Sequence, residues 1–500
     1  MAACGGAAAP DVPKESFVSP LPEGEVFATG LKLVALYTIS TPAQAAVAVE
    51  FGPDLTYGFL TSPQATSSVG GAVNILVAGM KQNTLYHMRA IVTYSDGSQQ
   101  FDSDHTFKTG TLDPQRVPTM KATTTSGLTP APGVELLSLI YGQTNQLLAL
   151  AVDPSGNVVW YYDYDQTLGV PQPIKLLPNG HMLLLLCPPA SQGGTVREVN
   201  LSGGVVHQFD YNELSQKLQN AGYNIQVFSI DHDFVLLPNG HLLLLVTDTR
   251  VFTDLPGYPG QTTVLGNAIV DVDSNYDPVW VWDAFDHLDV NRHPLLFPDW
   301  IHANTLVYVP DDGSLLMSSR HQSWVLKIDY QNGKGAGDVI WKLGYQGDFA
   351  LSSDSPADWF YAQHDANIAS PNGTGDFQLA LFDNGDYRVL DDSGDTCQGF
   401  LPPPCYSTAA IFEVNETART ASRQWSYVTP YSYWGGVTRV LPNANVFIDE
   451  TAPADLNTTS ARVLEVTQDS TPRIVWQLEV DNQSSYRTIH LPSLYPGVQW

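Results

Sequence analysis

The sequence predicts an all-β protein, namely a six-bladed β-propeller preceded by a small β-sandwich. Five hundred residues exceed the size of one ordinary domain and fit a large β architecture plus a smaller module. Forty Gly and 35 Pro, among many Thr, Val, Tyr and Trp, favour short strands joined by turns. Two strand-and-turn units recur along the chain, whereas a helical apolar period is limited to Leu214–Leu218.

Residues 1–25 are rich in Ala, Pro and Gly and are predicted to be a disordered leader. Within them, Cys4 follows Ala-Ala in the segment MAACGG. This segment resembles the end of a bacterial lipoprotein signal, in which the cysteine carries the lipid. The alternative is an accidental cysteine in a floppy tail. The first interpretation predicts a secreted, periplasmic or lipid-anchored protein at the outer surface of a bacterial membrane.

Residues 26–110 alternate strand-like segments with turns and are predicted to form a β-sandwich domain. Their last part, TLYHMRAIVTYSDGS and then HTFKTG, resembles the end of a fibronectin type III sandwich. There a buried Tyr lies on an alternating strand before a tight turn. We expect this domain to be a spacer or brace. Residues 111–132, rich in Thr and Pro, are predicted to be its linker.

Residues 133–500 repeat two units and are predicted to form the propeller. The first unit is a Leu-Pro-Asn-Gly turn, or a variant, followed by an apolar strand, as in LLPNGHMLLLL and LLPNGHLLLLV. The second is an apolar strand, a polar turn and a strand that carries Trp, as in AIVDVDSNYDPVWVWD. Six such four-stranded copies describe a β-propeller with loop insertions. The first copy lacks an inner strand, which the C-terminal segment YRTIHLPSLYPG can supply, closing the ring.

Charge and cysteine content restrict the partners and the compartment. The formal net charge of −28, from 23 basic and 51 acidic residues, excludes nucleic acid as a partner because a phosphate backbone would be repelled. No apolar run is long enough for a transmembrane helix. Cys397 and Cys405 lie in the Pro-rich segment DTCQGFLPPPC without a nearby His, which predicts a disulfide, an oxidising compartment and a free Cys187.

Three histidines occupy equivalent places in successive predicted blades. Each Leu-Pro-Asn-Gly turn should connect the innermost strand of a blade to the next strand out. His232, His302 and His364 lie six, eight and seven residues before their turn prolines, where that inner strand begins. Because blades repeat around an axis, we expect these side chains to converge at one mouth of the central channel, where propellers usually place their sites.

Three convergent imidazoles fit two kinds of site. They could hold a metal ion and leave one position for water, or one of them could attack as a nucleophile while the others bind an anion. Asn304 shares a strand face with His302, and Arg320 comes from the adjacent strand of the same blade. A guanidinium repels a metal ion but forms, with His and Asn, a cradle for an oxyanion. The sequence therefore favours anion chemistry without a metal.

One stretch has a more specific resemblance. DWIHANTLVYVPDDGSLLMSSRHQSWVLKID, followed by WKLG, QHDAN and LALFDNGD, resembles the PAPS-independent arylsulfate sulfotransferase family over about three-quarters of the chain. The resemblance implies transfer of a sulfuryl group from an aryl sulfate to a phenol in a ping-pong reaction. Through the QHDAN motif, the role of the sulfohistidine falls on His364. Sulfate binding and proton handling fall on His232, His302, Asn304 and Arg320.

The resemblance is weaker in the following blade. The family has a Thr at its last active-site position, whereas YSYWGGVT offers Trp434 or Gly435, with Thr438 slightly too late. We predict Trp434 as a substrate-binding residue there. A phenol must dock against an apolar wall, for which the candidates are Trp300, Phe360, Tyr361, Tyr431 and Trp434.

No cofactor is predicted, because the chain has no glycine-rich phosphate loop for a PAPS-type nucleotide. Two other functions remain open at this point. One is an aryl sulfatase-like hydrolase on the same scaffold, which would turn over without added phenol. The other is a glycan- or protein-binding propeller on the cell surface, which would not turn over aryl sulfates.

Overall fold

The protein is described by a computed structural model that covers residues 23–142, 145–188, 192–353, 355–371, 376–397, 405–456 and 459–500. Strands account for 51% and helices for 4%, so the predicted all-β class is confirmed. Most of the predicted leader, including Cys4, lies outside the described residues. None of the helices in the described ranges has the length and apolarity that a membrane crossing requires.

The N-terminal part of the chain forms two sheets. Its strands are β1 (Glu25–Ala28), β2 (Ala35–Thr41), β3 (Ala45–Gly52), β4 (Phe59–Leu60), β5 (Gln64–Ala65), β6 (Gly71–Val77), β7 (Leu85–Tyr94), β8 (Gln99–Phe101) and β9 (His105–Lys108). One sheet has the order β1-β2-β6. The other has the order β4-β3-β7-β8, with β5 paired to β3 and β9 to β7. Burial alternates along β2 and β7, as expected when one face of each sheet packs on the other.

Two aromatic residues stabilise this N-terminal part. Tyr86 on β7 is the buried Tyr expected from the sequence, and its hydroxyl accepts a hydrogen bond from the Lys81 N–H at 2.9 Å. Trp500, the last residue, places its ring 6.0 Å from that of Phe51 and 5.3 Å from that of Phe59, between centroids. The C-terminal end of the chain is therefore attached to the N-terminal sheets.

The other described strands form six sheets that follow one another along the chain. The strands are β10 (Thr119–Thr124), β11 (Val134–Gly142), β12 (Ala149–Val152), β13 (Val158–Tyr162), β14 (Val170–Leu176), β15 (Met182–Cys187), β16 (Thr195–Val199), β17 (Val205–Asp210), β18 (Val227–Leu236), β19 (Leu242–Leu255), β20 (Tyr258–Val272), β21 (Pro278–Asp283), β22 (Ala303–Val309), β23 (Ser314–Ser319), β24 (Trp324–Ile328), β25 (Val339–Leu343), β26 (Ala350–Leu351), β27 (His364–Pro371), β28 (Asp376–Asp383), β29 (Ser407–Asn415), β30 (Thr420–Thr429), β31 (Val437–Val440), β32 (Val446–Glu450), β33 (Ala461–Val466), β34 (Ile474–Asp481) and β35 (Gln483–Leu491).

Most of these sheets are simple meanders. Their orders are β13-β12-β11-β35, β14-β15-β16-β17, β18-β19-β20-β21, β22-β23-β24-β25, β26-β30-β29-β28-β27 and β10-β34-β33-β32-β31. One terminal strand of each sheet touches a strand of the next sheet, in the series β35, β14, β18, β22, β27 and β31, and β35 also touches β32. The series of contacts therefore returns to the sheet in which it began. In the second sheet, the strand beside the member of this series is β15, and it is buried on both faces. Its continuous apolar run follows from this position.

The two ends of the repeated region pair with each other. β35 pairs antiparallel with β11, from Val134 opposite Leu491 to Gly142 opposite Gln483, so the C-terminal segment supplies the strand missing from the first sheet, as predicted. β10 pairs antiparallel with β34. This is a correction to the predicted linker at 111–132: part of it is a strand, because the otherwise free edge of β34 offers unpaired backbone groups to it.

Helices are short. α1 (Tyr211–Asn220) begins with a capping box between Asp210 and Glu213 and buries Leu214 and Leu218, the residues whose spacing predicted a helix. α2 (Ala284–His287) is a single turn, and 3₁₀ turns occur at Gln166–Leu168 and Pro356–Asp358.

Candidate active site

The three predicted histidines lie where inner strands are interrupted. β18, β22 and β27 each contain a register shift at this place. His232, His302 and Asp365 have φ values of 66°, 48° and 51°, in the left-handed region that favours glycine. Such a conformation costs about 1–3 kcal/mol in a non-glycine residue and is typical of functional sites. The bulges redirect the side chains away from the regular pleat.

The structure brings the three imidazoles together. The ring centroids of His232 and His302 are 4.8 Å apart. Tyr486 of β35 lies between His232 and His364, with its ring centroid 5.8 and 6.4 Å from theirs. The sequence analysis did not identify Tyr486, which is far away in the chain and belongs to the strand that completes the first sheet.

His364 differs from the other two histidines in its partner. It is 3% exposed, and its Nδ1 lies 2.8 Å from Oδ1 of Asn384, a neutral amide. The Gly435 N–H donates to its Nε2 at 3.3 Å. Burial lowers the pKa of His364 well below its ordinary value, and the nearby charge of Arg320 lowers it further. The imidazole is therefore neutral, with its lone pair on Nε2.

His232 and His302 are instead paired with carboxylates. Nδ1 of His232 donates to Asp231 at 2.8 Å, and Nδ1 of His302 donates to Asp299 at 2.6 Å. Burial would raise the pKa of both aspartates, yet the contacts with their histidines lower it below the ordinary value. Burial lowers the pKa of His302, and Asp299 opposes this effect. These two His–Asp pairs can hold and release a proton.

Arg320 is buried beside the histidines. Its Nη2 donates to Asp386 at 2.8 Å and to the Tyr433 carbonyl at 2.9 Å, and its Nη1 donates to Nε2 of His321 at 2.6 Å. Burial raises the pKa of Asp386 to about 6, and Arg320 opposes this rise. The Nε of Arg320 has no hydrogen-bond partner among the described residues. A fixed guanidinium with an unused donor is suited to binding an anion.

One group at the site has the spacing of metal ligands. The ligand atoms of Asp299, His302 and His321 all lie within 4.8 Å of one another. However, both nitrogens of His321 are already used: Nδ1 donates to the Asp299 carbonyl at 2.6 Å, and Nε2 accepts from Arg320. A cation would have to displace Arg320 to reach His321, so the geometry favours an anion here.

Asn304 and Trp434, which were predicted together with Arg320 to bind substrate, differ in position. Asn304 is fully buried next to the start of β27, and its amide donates to the Gln363 carbonyl at 2.8 Å. Trp434 is half-buried beside Tyr433, with ring centroids 6.4 Å apart, and it is the neighbouring Gly435 that reaches His364. A threonine at 435 would require a Cβ 2.2 Å from Oγ1 of Thr451, at a φ of +63°. With Thr451 in this position, the backbone at 435 accommodates only a glycine.

The predicted wall residues are mostly buried. Trp300, Phe360, Tyr361 and Tyr431 are between 0% and 5% exposed, and Trp300 and Phe360 belong to core clusters, so of the five candidates only Trp434 has appreciable surface. Thr438 lies in β31, and its hydroxyl has no partner among the described residues.

A layer of charged side chains lies beside the histidines along the same strands. We call it the charged layer, and its members are Lys175, Asp233, Asp365, Arg439 and Arg487. Each comes from a different strand among β14, β18, β27, β31 and β35. Arg487 also donates to the Asn304 carbonyl at 2.8 Å, which adds the strand β22. Asp233, Asp365 and Arg487 are at most 1% exposed.

The disulfide predicted from the sequence is present. Cys397 and Cys405 are bonded, with their Cα atoms 5.3 Å apart, and Cys187 is free and buried, as predicted. The Cys397 sulfur lies 3.2 Å from the Gly385 carbonyl, in the turn that carries Asn384 and Asp386.

Replacing both Cys397 and Cys405 by serine should lower the free energy of unfolding by no more than about 3 kcal/mol, because the closed loop is short. Denaturant unfolding of the wild type and the double variant measures the difference. A reductant should destabilise the wild type by a similar amount and leave the variant unchanged. A clearly larger loss would contradict this account.

The site contains residues that sequence reasoning missed. Asp231 and Asp299 are one and three residues before their histidines, so the spacing could have revealed them. Asn384 and Asp386 lie in the FDNGD segment, which was noticed only as part of the resemblance.

Comparisons with known proteins identify a family for most of the chain. The arylsulfotransferase (ASST) family model matches residues 123–487. The arylsulfate sulfotransferase AssT of Escherichia coli O6:H1 (strain CFT073) is 25% identical, with 58% of this chain and 54% of that protein covered. The AssT of Lelliottia amnigena is 23% identical with the same coverage.

The chain spans about half the length of these curated relatives. A solved structure of a protein from Lactobacillus plantarum covers 72% of this chain and 99% of its own, at 11% identity and a TM-score of 0.37. Because the family model extends over more than half of the 500 residues, from β10 to β35, the chain belongs to the arylsulfotransferase family.

Proposed function

We propose that this protein transfers a sulfuryl group from an aryl sulfate to a phenol by a ping-pong mechanism, with His364 as the covalent carrier. The observation that carries this proposal is the contrast among the three convergent histidines. His364 has a neutral amide partner at Nδ1, and its Nε2 accepts only a long hydrogen bond of 3.3 Å from the Gly435 N–H, whereas His232 and His302 are paired with carboxylates. Family membership supports the same reaction class.

We further propose that the six sheets of residues 133–500 form a propeller and that residues 26–110 form a separate sandwich domain. The circuit of contacts through β35, β14, β18, β22, β27 and β31 supports a closed ring with the histidines at one mouth. A secreted or periplasmic location, with a lipid anchor at Cys4, remains part of the proposal. The Cys397–Cys405 disulfide is in keeping with it, since disulfides persist in oxidising compartments.

In the first half-reaction, Nε2 of His364 attacks sulfur and the sulfur–aryl oxygen bond breaks. The aryl oxygen leaves with the electron pair of that bond, and His232 or His302 donates a proton to it. Arg320 stabilises the negative charge that spreads over the sulfuryl oxygens. The products are a free phenol and a sulfuryl group bonded to His364.

In the second half-reaction, the phenol acceptor takes the place of the departed phenol. The His–Asp pair that gave up its proton now removes the proton of the acceptor hydroxyl. The acceptor oxygen attacks sulfur, the bond from sulfur to Nε2 breaks, and His364 returns to its neutral form. Trp434, the candidate wall residue that retains exposed surface, is suited to stack against the aryl ring of the acceptor.

Incubating the protein with a chromogenic aryl sulfate tests the proposal. We expect a burst of phenol near one equivalent without an acceptor and steady turnover only when phenol is added. EDTA should change neither, because Arg320 occupies the place where a cation would bind His321. Steady turnover without phenol would indicate the hydrolase, and no burst at all would indicate a binding protein. Loss of activity together with one bound metal per chain would overturn the anion site.

A further inference from the structure

The FDNGD segment at the end of β28 contains a residue that acts through His364. Asn384 is fully buried. Its Nδ2 donates to the carbonyls of Ser432 and Gly435 at 2.8 and 2.9 Å, and its Oδ1 lies 2.8 Å from Nδ1 of His364. All the polar atoms of the amide are therefore engaged.

These contacts determine the orientation of the amide and hence the tautomer of the imidazole. A carbonyl oxygen can only accept a hydrogen bond, so the NH₂ group of Asn384 must face the two carbonyls. Its Oδ1 must then face His364, and because Oδ1 can only accept, Nδ1 of His364 must carry the hydrogen. The Gly435 N–H points at Nε2 from the opposite side, where only a lone pair can accept it.

We propose that Asn384 is a positioning residue that selects Nε2 of His364 as the attacking nitrogen and, as an amide instead of a carboxylate, leaves that nitrogen without a proton. The inference rests on the proposed function and deepens it. Asp231 and Asp299 occupy the corresponding place beside His232 and His302, so a carboxylate faces Nδ1 of those two rings where a neutral amide faces Nδ1 of His364. Partner chemistry thus separates one nucleophile from two proton carriers.

The same hydrogen bond serves throughout the reaction. When Nε2 bonds to sulfur, the ring becomes positively charged and Nδ1 keeps its hydrogen, so Oδ1 of Asn384 continues to accept it. A carboxylate at this place would favour the charged imidazole more than an amide does, so the lone pair of Nε2 would be free for the attack over a narrower pH range. A neutral acceptor avoids this and still fixes the orientation of the ring.

Nitrogen-15 NMR of protein labelled in its histidines tests the proposal without any turnover. The signals of His364 are assigned by their absence from the His364→Ala variant. We expect Nδ1 to be protonated and Nε2 to be unprotonated in the wild type at neutral pH. A wild-type spectrum with the hydrogen on Nε2 would overturn the proposal, whether or not any variant folds.

In the variant Asn384→Ala, His364 should also adopt the tautomer that carries the hydrogen on Nε2. Its phenol burst should slow by about tenfold, because one ordinary hydrogen bond shifts an equilibrium by about that factor, while the KM for the aryl sulfate changes little. Asn367→Ala is the matched control. Asn367 lies in β27, the strand of His364, and its amide donates to the backbone carbonyls of Asp365 at 2.7 Å and Thr438 at 2.9 Å. Its removal should leave the tautomer of His364 and the burst rate unchanged.

The outcomes separate this inference from the proposed function. If the wild type gives a burst and Asn384→Ala keeps both the tautomer and the burst rate, the role of Asn384 is refuted and sulfuryl transfer stands. If the wild type gives no burst, sulfuryl transfer fails, and the spectra alone decide whether Asn384 controls the tautomer.

Discussion

His364→Ala should abolish both the phenol burst and steady turnover, because no other described histidine at this site combines an unprotonated Nε2 with a neutral side-chain amide at Nδ1. In the wild type, aryl sulfate without acceptor should add the mass of one sulfuryl group to the intact protein. Peptide mapping should place this group on the peptide around His364, and acid should remove it. Initial rates with varied donor and acceptor should give parallel double-reciprocal lines.

His181→Ala is a suitable control for the loss of a histidine. His181 follows a turn at the start of β15 and pairs with Glu198, away from the three convergent imidazoles, so its removal should leave labelling and turnover intact. Normal labelling of the His364→Ala protein would move the nucleophile elsewhere, and His302 would be the next candidate.

Arg320→Ala should slow both half-reactions by about 10²–10³-fold, the cost of removing one preorganised group that stabilises transition-state charge. The guanidinium reaches the site from β23 and is held by Asp386 and the Tyr433 carbonyl, so its position does not depend on the substrate. Single-turnover measurement of the burst gives the first rate constant. Arg250→Ala, in which a half-exposed arginine of another sheet is lost, should retain the wild-type rate.

Arg320→Ala also leaves Asp386 buried without its cation, which should cost about 3–5 kcal/mol of stability. The double variant Arg320→Ala with Asp386→Asn separates this effect from catalysis. Its asparagine can still accept the hydrogen bond of the Tyr431 hydroxyl, so stability should recover. The rate should not recover. A double variant with a normal burst would show that Arg320 acts only in folding.

The sequence was most informative where the chain repeats itself. The turns that follow His232, His302 and His364 allowed these residues to be assigned to equivalent places in the repeat. In the structure, their rings lie close together. Arg320 was found for the same reason, because it comes directly after β23, the strand that follows the His302 turn. The Cys397–Cys405 pair was found because both cysteines lie in one Pro-rich segment without a nearby His, which favours a disulfide over a metal site.

Features that depend on contacts between distant segments were not predictable. Tyr486 reaches the histidines only because β35 pairs with β11 at the opposite end of the repeated region, and nothing near Tyr486 marks it as a site residue. The β10 strand was assigned to a linker because its Thr-rich sequence has weak apolar character, and its pairing with β34 is what orders it. Asn384 was not identified because a side-chain amide can both donate and accept hydrogen bonds, and the sequence does not show which partners it has.

The charged layer has a consequence for how substrates move. Asp233, Asp365 and Arg487 are at most 1% exposed, and the ion pairs of Arg487 with both aspartates connect β18, β27 and β35 beside the imidazoles. If the proposed reaction takes place at the histidines, this layer would prevent a substrate from passing further between the inner strands. The departing phenol and the incoming acceptor would then share one entrance, so the first would have to leave before the second could bind.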